Sequence, residues 1–253
     1  MQYDLEIITI LGAAQTAGAI QLAHKNAIRS VEIKSDHSPV TEVDKQCETI
    51  IRDILTKQFP FDGFLGEETG EEKGQSGRRW IVDPLDGTRP YIRGLPTHSV
   101  LIALEDGNEL VAACMHLPAL SETYWAQKGK GAFLNNQNIH VSSTKSLKIA
   151  MGSGLGFVEK QDSKEGKTLL VLMKKWDYPY GFMDAYTYGC IASGKIDVCA
   201  NLLDKPWDCA AGACIVTLAG GRFSDINGIH SIYNGSIILS NGFLHDAVLE
   251  YFK

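Results

Sequence analysis

The sequence predicts an α/β protein in which helices cover the faces of β-sheets. Helical and strand-like patterns alternate along the 253 residues, and this alternation is typical of layered α/β folds. The hydrophobic fraction of 44% is enough for a sizeable core, and charged residues make up an ordinary 21%. We therefore expect a single domain over residues 1–253, with two halves at roughly 1–142 and 143–253.

The first half is predicted to begin with two helices. Apolar spacing indicates a helix over residues 4–27, with a buried stripe at Leu5, Ile8, Leu11, Ala14, Ala17, Ile20 and Leu22. SVEIKS alternates like a short strand. SPVTEVDKQCETIIRDILTKQF then predicts a helix with Thr41 as N-cap and Asp44 completing a capping box. Its buried face is assigned to Ile50, Ile51, Ile54 and Leu55.

Strands and turns are predicted for the rest of the first half. FDGF reads as a strand that runs into a glutamate-rich loop, and the next strand, 79–83, ends at the turn DPLDGT. A short helix at 90–93 and strands at 97–105 and 109–116 follow, and GKGAFLNNQNIHVS is typical of a hairpin.

The second half continues the alternation after an unclear stretch at 143–180. DAYTYGCIASGKIDVCANL predicts a helix that ends near Gly194, followed by a strand. A helix then begins near Pro206 and ends at Gly220, because Pro favours a first turn and Gly a helix end. A strand at 236–240 and a helix at 244–252 complete the chain.

Charge and cysteine usage narrow the class of protein. The net charge of −6 disfavours nucleic acid as a partner. The six cysteines form no CxxC pair, so we expect buried free thiols in a reducing cytosol. MQYDLEIITI lacks the basic start of a signal peptide, and no apolar run is expected to span a membrane. These features favour a cytoplasmic protein without a membrane partner.

Three acidic clusters indicate a metal site. They are Glu67-Glu68, Asp83 with Asp86, and Asp208, each where an element begins or ends. Close carboxylates repel each other and are costly to desolvate, so a positive group is expected between them. Mg²⁺ prefers oxygen ligands, and bound metals activate water and screen a phosphate dianion.

Each acid also has a plain structural explanation. Asp83 and Asp86 are common in turns, and Glu67-Glu68 is typical of a solvated loop. Asp208 suits the first turn of a helix, as Asp44 does. Only the combination and order of the clusters favour a site.

That order resembles the inositol monophosphatase family. GEE, WIVDPLDGT and PWDCAAG with a trailing AGG carry the resemblance, which covers roughly residues 5–245. The family belongs to a metal-dependent, lithium-sensitive phosphatase superfamily that includes fructose-1,6-bisphosphatases. The resemblance implies an α-β-α-β-α sandwich, two or three Mg²⁺ ions between the two halves, and hydrolysis of a small phosphate monoester.

The resemblance also implies roles for matched positions. The implied metal ligands are Glu67, Asp83, the Leu85 carbonyl, Asp86 and Asp208. Thr88 is implied to orient the attacking water and Asp44 to hydrogen-bond Thr88, with Glu67 as a further catalytic residue. Glu68 is similar to an acid behind the ligands or at a third metal. Lys34 is similar to a basic residue near the metals, the alternative being a solvated lysine.

Substrate contacts are assigned more broadly, to Gly87, Thr88, Arg89, Asp184 and Asp208. Backbone N–H groups in the Gly87-Thr88 turn are suited to phosphate oxygens, although Pro90 removes one donor.

The leaving group is the open question. DGTRPYIRGLPTHSVLIAL and GFMDAYTYGCIASGKIDV resemble the histidinol-phosphate phosphatase branch, where Asp184 would contact the substrate amine. The alternative for Asp184 is a helix N-cap. Asp204, in NLLDK, is the candidate for an acid that the inositol branch has slightly upstream of PWD.

Several alternatives therefore stand beside histidinol phosphate and a role in histidine biosynthesis. Inositol 1-phosphate and 3′-phosphoadenosine 5′-phosphate are other esters that the superfamily hydrolyses. Some bacterial relatives regulate transcription by binding RNA polymerase factors, which is a non-enzymatic alternative. A homodimer is the assembly that the resemblance implies.

Overall fold

The protein is built from five alternating layers of helices and sheets. The computed structural model describes residues 2–24, 31–33, 39–181 and 184–253. Within these ranges the α-helices are α1 (Asp4–His24), α2 (Glu42–Gln58), α3 (Thr88–Ile92), α4 (Lys164–Met173), α5 (Tyr186–Ala192), α6 (Pro206–Leu218) and α7 (His245–Leu249).

The strands form two large sheets and one small ribbon. The first sheet has the order β10-β9-β8-β7-β6-β5-β3-β4, and the second has the order β12-β11-β13-β15-β14. Their strands are β3 (Gly63–Gly66), β4 (Gly70–Glu72), β5 (Arg78–Asp86), β6 (Ser99–Asp106), β7 (Glu109–Leu117), β8 (Glu122–Gln127), β9 (Gly131–Leu134), β10 (Gln137–Ile139), β11 (Met151–Leu155), β12 (Tyr178–Pro179), β13 (Val198–Asn201), β14 (Arg222–Ser224) and β15 (Ile237–Ser240). The ribbon pairs β1 (Val31–Ile33) with β2 (Pro39–Thr41).

Alternating side chains on the strands connect the layers. Trp80 and Val82 of β5 pack with α1 and α2, whereas Ile81 points into the core shared with α5 and α6. On β13, Cys199 joins that same central core, while Val198 joins the outer core with α4 and α7. The predicted α-β-α-β-α layering is therefore confirmed, with the first sheet drawn from residues 63–139 and the second from 151–240.

Several local predictions are confirmed as well. Thr41 and Asp44 form the capping box at the start of α2, and β9 and β10 form the expected hairpin. All six cysteines are buried free thiols. Helix α6 begins at Pro206, as its sequence indicates.

The buried face predicted for α1 is correct in part: Ala14 and Ala17 are buried, and Leu11 and Ile20 pack against the core, but the other three residues do not. Leu5, Ile8 and Leu22 are exposed, with relative accessibilities of 50%, 67% and 45%. The buried face consists of Ile7, Ile10, Ala13, Ala14, Ala17, Gly18 and Gln21. Because apolar residues occur on nearly every side of this helix, their spacing could not identify the face that packs. Residues 25–27, the predicted end of the helix, lie outside the described residues.

Helix α1 also corrects the expectation about membrane spans. It has 21 residues and a mean hydropathy of 1.3, which is long and apolar enough to cross a membrane. The core helix of a soluble protein passes the same test, and so does a signal sequence. Ile7, Ile10, Ala13, Ala14 and Ala17 of α1 pack in the core beside the first sheet.

Other differences concern element boundaries. Strand β5 does not stop at Asp83 but continues to Asp86, because pairing with β6 resumes after an irregularity at Pro84 and Leu85. Strands β8 and β14 were not predicted, and the unclear stretch 143–180 contains β11, α4 and β12. The last helix is shorter than expected and ends at Leu249.

A buried histidine in the outer core leads to a prediction about acid stability. His245 is 1% exposed, and its ring nitrogens lie 3.0 Å from the hydroxyls of Ser224 and Ser240. Burial lowers the pKa of His245 from 6.5 to about 4, so folding favours the neutral ring. The contribution of the neutral His245 ring to folding stability is fully present above pH 6.5. It decreases by about 3 kcal/mol as the pH falls from 6.5 to about 4.

Denaturant unfolding of wild type and His245→Gln at pH 8 and pH 4.5 measures the effect. The variant should lose less stability than wild type between the two pH values. The matched control is His140→Gln at an exposed position, which should behave as wild type. Equal acid sensitivity of wild type and His245→Gln would contradict the prediction.

Candidate active site

An irregularity in β5 brings two acids to one side of the sheet. Asp83 pairs with Leu101 of β6, but the next pair is Asp86 with Ser99, so the β5 segment is one residue longer. The Leu85 N–H donates to Asp83 Oδ1 at 2.9 Å, which closes a tight local turn. This bulge is why both carboxylates face the same region instead of alternating across the sheet.

Asp86 is held by groups from both halves of the chain. The Ser99 hydroxyl of β6 donates to Asp86 Oδ2 at 2.8 Å, and the Ala185 N–H before α5 donates to the same oxygen at 3.1 Å. The side chain is nearly buried, with 8% of the residue exposed. Asp86 therefore links β5 to the start of α5 and is also an acid in the site.

Thr88 and Asp44 are hydrogen-bonded across two helices. The Thr88 hydroxyl lies 3.1 Å from Asp44 Oδ1 and 3.1 Å from the Leu85 carbonyl oxygen. The other oxygen of Asp44 accepts the Thr41 N–H at 2.8 Å. Asp44 thus both completes the capping box of α2 and binds Thr88. Burial raises the pKa of Asp44, which is 1% exposed.

Glu67 and Asp208 approach the same region from opposite sides. The Glu67 N–H donates to the Val82 carbonyl at 3.1 Å, which places Glu67 beside the end of β5. Asp208 lies in the first turn of α6, where its Oδ2 accepts the N–H of the N-cap residue Lys205 at 2.9 Å. Asp208, like Asp44, therefore both stabilises a helix start and belongs to the site.

A cavity of about 470 Å³ brings these groups together. It lies between the two sheets, with β5 and α3 on one side and the starts of α5 and α6 on the other. The lining residues are Glu67, Asp83, Leu85, Asp86, Gly87, Thr88, Arg89, Pro90, Leu155, Gly156, Glu159, Asp184, Ala185, Tyr188, Asn201, Leu203, Asp204, Lys205, Trp207 and Asp208. Seven of these are carboxylic acids, whereas two are basic.

Burial and like charge raise the pKa values of these acids. Burial is the main cause at Asp83 and Asp86, and repulsion from Glu67 raises the Asp83 pKa further. The pKa of Asp208 rises to about 7, mainly through burial. The folded protein therefore disfavours the charged form of these groups unless a cation joins them.

The donor set of the cavity fits a hard divalent cation. Glu67, Asp83, Asp86, Asp208 and the Leu85 carbonyl offer oxygen atoms, which Mg²⁺ prefers. Within the described ranges, no three His, Cys, Asp or Glu side chains already have the arrangement of a formed metal centre. The acids share one cavity without converging on one point.

Asp184, on the cavity wall that the second half of the chain contributes, lies beside Gly87 in a strained backbone conformation. Its φ of 56° lies in the left-handed region, which is uncommon outside glycine, and its Oδ2 is buried without a hydrogen-bond partner in the described structure. A Cβ at Gly87 would lie 3.2 Å from this oxygen, and Gly87 itself has a φ of 75°. Burial raises the pKa of Asp184 to about 6.

The alternative role of Asp184 as a helix cap is wrong. Ala185 is the N-cap of α5, and no side chain caps that helix start. The Asp184 carboxyl instead lines the cavity.

A second acid on this wall is held by neutral donors. Asp204, 5% exposed, accepts hydrogen bonds from the Tyr188 hydroxyl on one oxygen and from the Asn201 amide on the other. The Asn201 amide also lies 3.1 Å from the Tyr188 hydroxyl. Burial is the main reason that the pKa of Asp204 rises well above its ordinary value.

The remaining assigned residues are placed differently. Arg89 is exposed at the cavity, whereas Glu68 does not line it and instead donates its N–H to Glu48 Oε2 at 2.9 Å. Lys34 lies outside the described residues.

Sequence reasoning missed Tyr188 and Asn201, which line the cavity, and also Ser99 and Glu48, which hold Asp86 and the turn after Glu67 from outside it. Only Glu48 had a readable signal, because it follows Asp44 by one helical turn and lies on the buried face of α2. The others reach the site through pairings between distant strands and helices, which local spacing does not reveal.

Comparison with known proteins places this geometry in a recognised group. The chain matches the model of the inositol monophosphatase family over residues 4–253. A histidinol-phosphatase of Chlorobaculum parvum is 37% identical over 245 residues, covering 95% of this chain and 92% of its own. One from Streptomyces coelicolor is 36% identical over 259 residues, covering 98% and 96%.

A solved structure shows the same fold over nearly the entire chain. The extragenic suppressor protein SuhB of Bartonella henselae aligns with a TM-score of 0.91 at 29% identity, covering 99% of both chains. With the sequence relatives, this defines the protein as an enzyme that hydrolyses phosphoric monoesters. The chain belongs to the inositol monophosphatase family.

The repulsion among the acids predicts that removing one charge stabilises the metal-free protein. Asp83→Asn keeps the side-chain shape and the acceptor for the Leu85 N–H, but removes a charge from a residue that is 2% exposed. We expect the melting temperature in chelator to rise by about 2–4 °C for each kcal/mol of relieved repulsion. Thermal unfolding at pH 8 measures this.

The matched control is Asp53→Asn, which removes a charge from an exposed position on α2 and should leave the melting temperature unchanged. A lower melting temperature for Asp83→Asn would show that its charge does not strain the fold.

Proposed function

We propose that the protein hydrolyses histidinol phosphate to histidinol and phosphate in a Mg²⁺-dependent reaction. The observation that carries the proposal is the pair of acids, Asp184 and Asp204, that the second half of the chain contributes to the cavity wall. The histidinol-phosphatase names of two similar relatives support the same substrate.

The carboxylates of Glu67, Asp83, Asp86 and Asp208, with the Leu85 carbonyl, are the proposed ligands of two or three Mg²⁺ ions. When bound, such ions lower the pKa of water and screen the phosphate charge. The Leu85 oxygen has two lone pairs, so it can accept from Thr88 and still face a cation. Glu68 and Lys34 stay proposed as supporting residues near the ligands.

Thr88 is suited to orient the attacking water. Its hydroxyl has one proton, for which Asp44 Oδ1 and the Leu85 carbonyl both lie at 3.1 Å. With the proton directed to either acceptor, the Thr88 oxygen offers its lone pairs to a water in the cavity. Asp44 can take the Thr88 proton as the water gives up its own, and its raised pKa suits it to act as a base.

The phosphate is proposed to lie between the acids and the Gly87–Arg89 segment. Gly87, Thr88 and Arg89 line the cavity, and the Arg89 guanidinium supplies a positive charge at its exposed side. Pro90 has no N–H to contribute. Asp208 faces the same space and is proposed to contact the substrate as well as the metal.

The wall that carries Asp184 and Asp204 favours an alcohol with a positive charge. Asp184 has a buried oxygen without a partner in the described structure, and Asp204 is buried among neutral donors. A substrate amine would satisfy Asp184 and reduce the charge imbalance of a cavity with seven acids. The neutral hydroxyls of inositol would satisfy the hydrogen bond but leave that imbalance unchanged.

We also propose a cytoplasmic location and a homodimeric assembly. Six buried free thiols support a reducing cytoplasm. A homodimer is proposed from the family alone.

The Thr88–Asp44 contact predicts that the two residues act as a unit in turnover. Thr88→Val should lower kcat about 100-fold, within the range for proton-transfer assistance, and Asp44→Asn should do similar damage. The double variant should be little worse than the worse single variant, because groups in one relay are not additive. Steady-state rates and melting curves of all three variants are compared.

The matched control is Glu42→Gln, an exposed acid in the first turn of the same helix. Losses that multiply in the double variant would contradict the relay. So would an Asp44→Asn variant that melts early but turns over normally.

The proposed substrate is tested by phosphate release from four esters: histidinol phosphate, inositol 1-phosphate, fructose 1,6-bisphosphate and 3′-phosphoadenosine 5′-phosphate. We expect the highest kcat/KM for histidinol phosphate, loss of turnover after chelation, and inhibition by Li⁺. Asp184→Asn should lower kcat/KM for histidinol phosphate about 10-fold to 100-fold, the cost of losing a charged hydrogen bond. The same variant should change inositol 1-phosphate turnover less than about 3-fold, since that substrate has no cation.

If Asp184→Asn lowers kcat/KM equally for both substrates, Asp184 is not the contact of the substrate amine. If wild type has a higher kcat/KM for inositol 1-phosphate than for histidinol phosphate, the proposed substrate is wrong. If none of the four esters is hydrolysed in the presence of Mg²⁺, the regulatory alternative is favoured over an enzyme.

A further inference from the structure

The backbone turn that carries Glu67 is held by a buried acid outside the cavity. Glu48 on α2 is 0% exposed, and its two oxygens accept the N–H groups of Glu68 at 2.9 Å and Thr69 at 2.7 Å. Glu48 does not line the cavity, so it has no direct access to substrate.

The fold makes room for this contact. A Cβ on Gly66 would lie 2.6 Å from Glu48 Oε1, closer than real atoms approach, so only glycine lets the carboxylate reach the turn. On the far side, Gly70 has a φ of 76°, which allows β4 to fold back onto β3. The turn between the two glycines is therefore shaped around the Glu48 carboxylate.

Three consecutive N–H groups in this turn have fixed acceptors. The N–H of Glu67 binds the Val82 carbonyl, one residue before Asp83, and the next two N–H groups bind Glu48. The backbone on both sides of the Glu67 side chain is thus fixed relative to β5. Glu67 is close enough to Asp83 and Asp208 to raise the pKa of each, so its placement matters to the acid cluster.

Glu48 and Asp44 share one face of α2, one helical turn apart. Asp44 holds Thr88 after β5, and Glu48 holds the turn after β3. A single rigid helix thereby sets the relative position of two parts of the site that come from different strands.

We propose that Glu48 is a positioning residue that fixes the Glu67 carboxylate for binding of a divalent metal. This inference rests on the proposed Mg²⁺ site. Glu48→Gln retains the size of the side chain, but its amide turns a donor toward one of the two N–H groups. The turn must then shift, and Glu67 shifts with it.

Calorimetric titration of the metal-free protein with Mg²⁺ tests the inference. Glu48→Gln should bind Mg²⁺ about 10-fold to 100-fold more weakly, the usual effect of losing a group that orients a metal ligand. At saturating Mg²⁺ its kcat should return to within about 3-fold of wild type. Asp53→Asn, which removes an exposed charge from the same helix, should bind Mg²⁺ as wild type does.

A double variant separates positioning from general damage. If Glu48 acts through Glu67, then Glu48→Gln should weaken Mg²⁺ binding little further when Glu67→Gln is already present. Independent losses in the double variant would overturn the proposal. A folded Glu48→Gln with wild-type affinity would overturn it as well, even if its melting temperature were lower.

Glu48→Asp is the second variant, because it keeps the charge but is one methylene too short to hold both N–H groups. It should show the same loss of affinity if Glu48→Gln does not fold. Failure of both to fold would show that Glu48 serves the fold and not the metal, which overturns the proposal. If the wild-type protein binds no Mg²⁺, the proposed function itself fails. If wild type binds Mg²⁺ and both Glu48 variants bind it equally well, only the proposed role of Glu48 is refuted.

Discussion

Mutual repulsion of buried carboxylates is the constraint around which this molecule is organised. Asp83, Asp86 and Asp208 face one cavity between two sheets, and burial makes the charged form of each costly. Each is held in place by backbone N–H or hydroxyl donors: Leu85 for Asp83, Ser99 and Ala185 for Asp86, and Lys205 for Asp208. These donors stabilise the carboxylates locally but do not cancel their charges, which leaves the cavity suited to cations.

Structural and functional roles coincide at several of these acids. Asp44 and Asp208 each accept the N–H of the N-cap residue of their helix, so each also stabilises a helix start. Asp86 joins the two halves through the Ala185 N–H. The rigidity that the site needs therefore comes from the same hydrogen bonds that start helices and hold layers together.

The sequence could predict the layers and the acid clusters because both depend on local pattern. Thr41 with Asp44, and Pro206 with Asp208, are short-range signals that the structure repeats. Only part of the buried face of α1 was predicted, because small and apolar residues surround that helix. The bulge in β5 and the left-handed Asp184 depend on pairing and packing across the chain, so no local pattern specified them. The roles of the site residues in catalysis stay predictions.

The division of the cavity between the two halves bears on how such an enzyme changes over evolution. The acids at β5, with Thr88 and the turn after β3, come from residues 44–99, whereas Asp184, Tyr188, Asn201 and Asp204 come from residues 184–204. The side chains of Tyr188, Asn201 and Asp204 are hydrogen-bonded to one another, and Asn201 also accepts the Leu203 N–H. Substitutions there can alter the preferred alcohol while the hydrolytic machinery is inherited unchanged. Descendants of one ancestor could in this way acquire different metabolic roles.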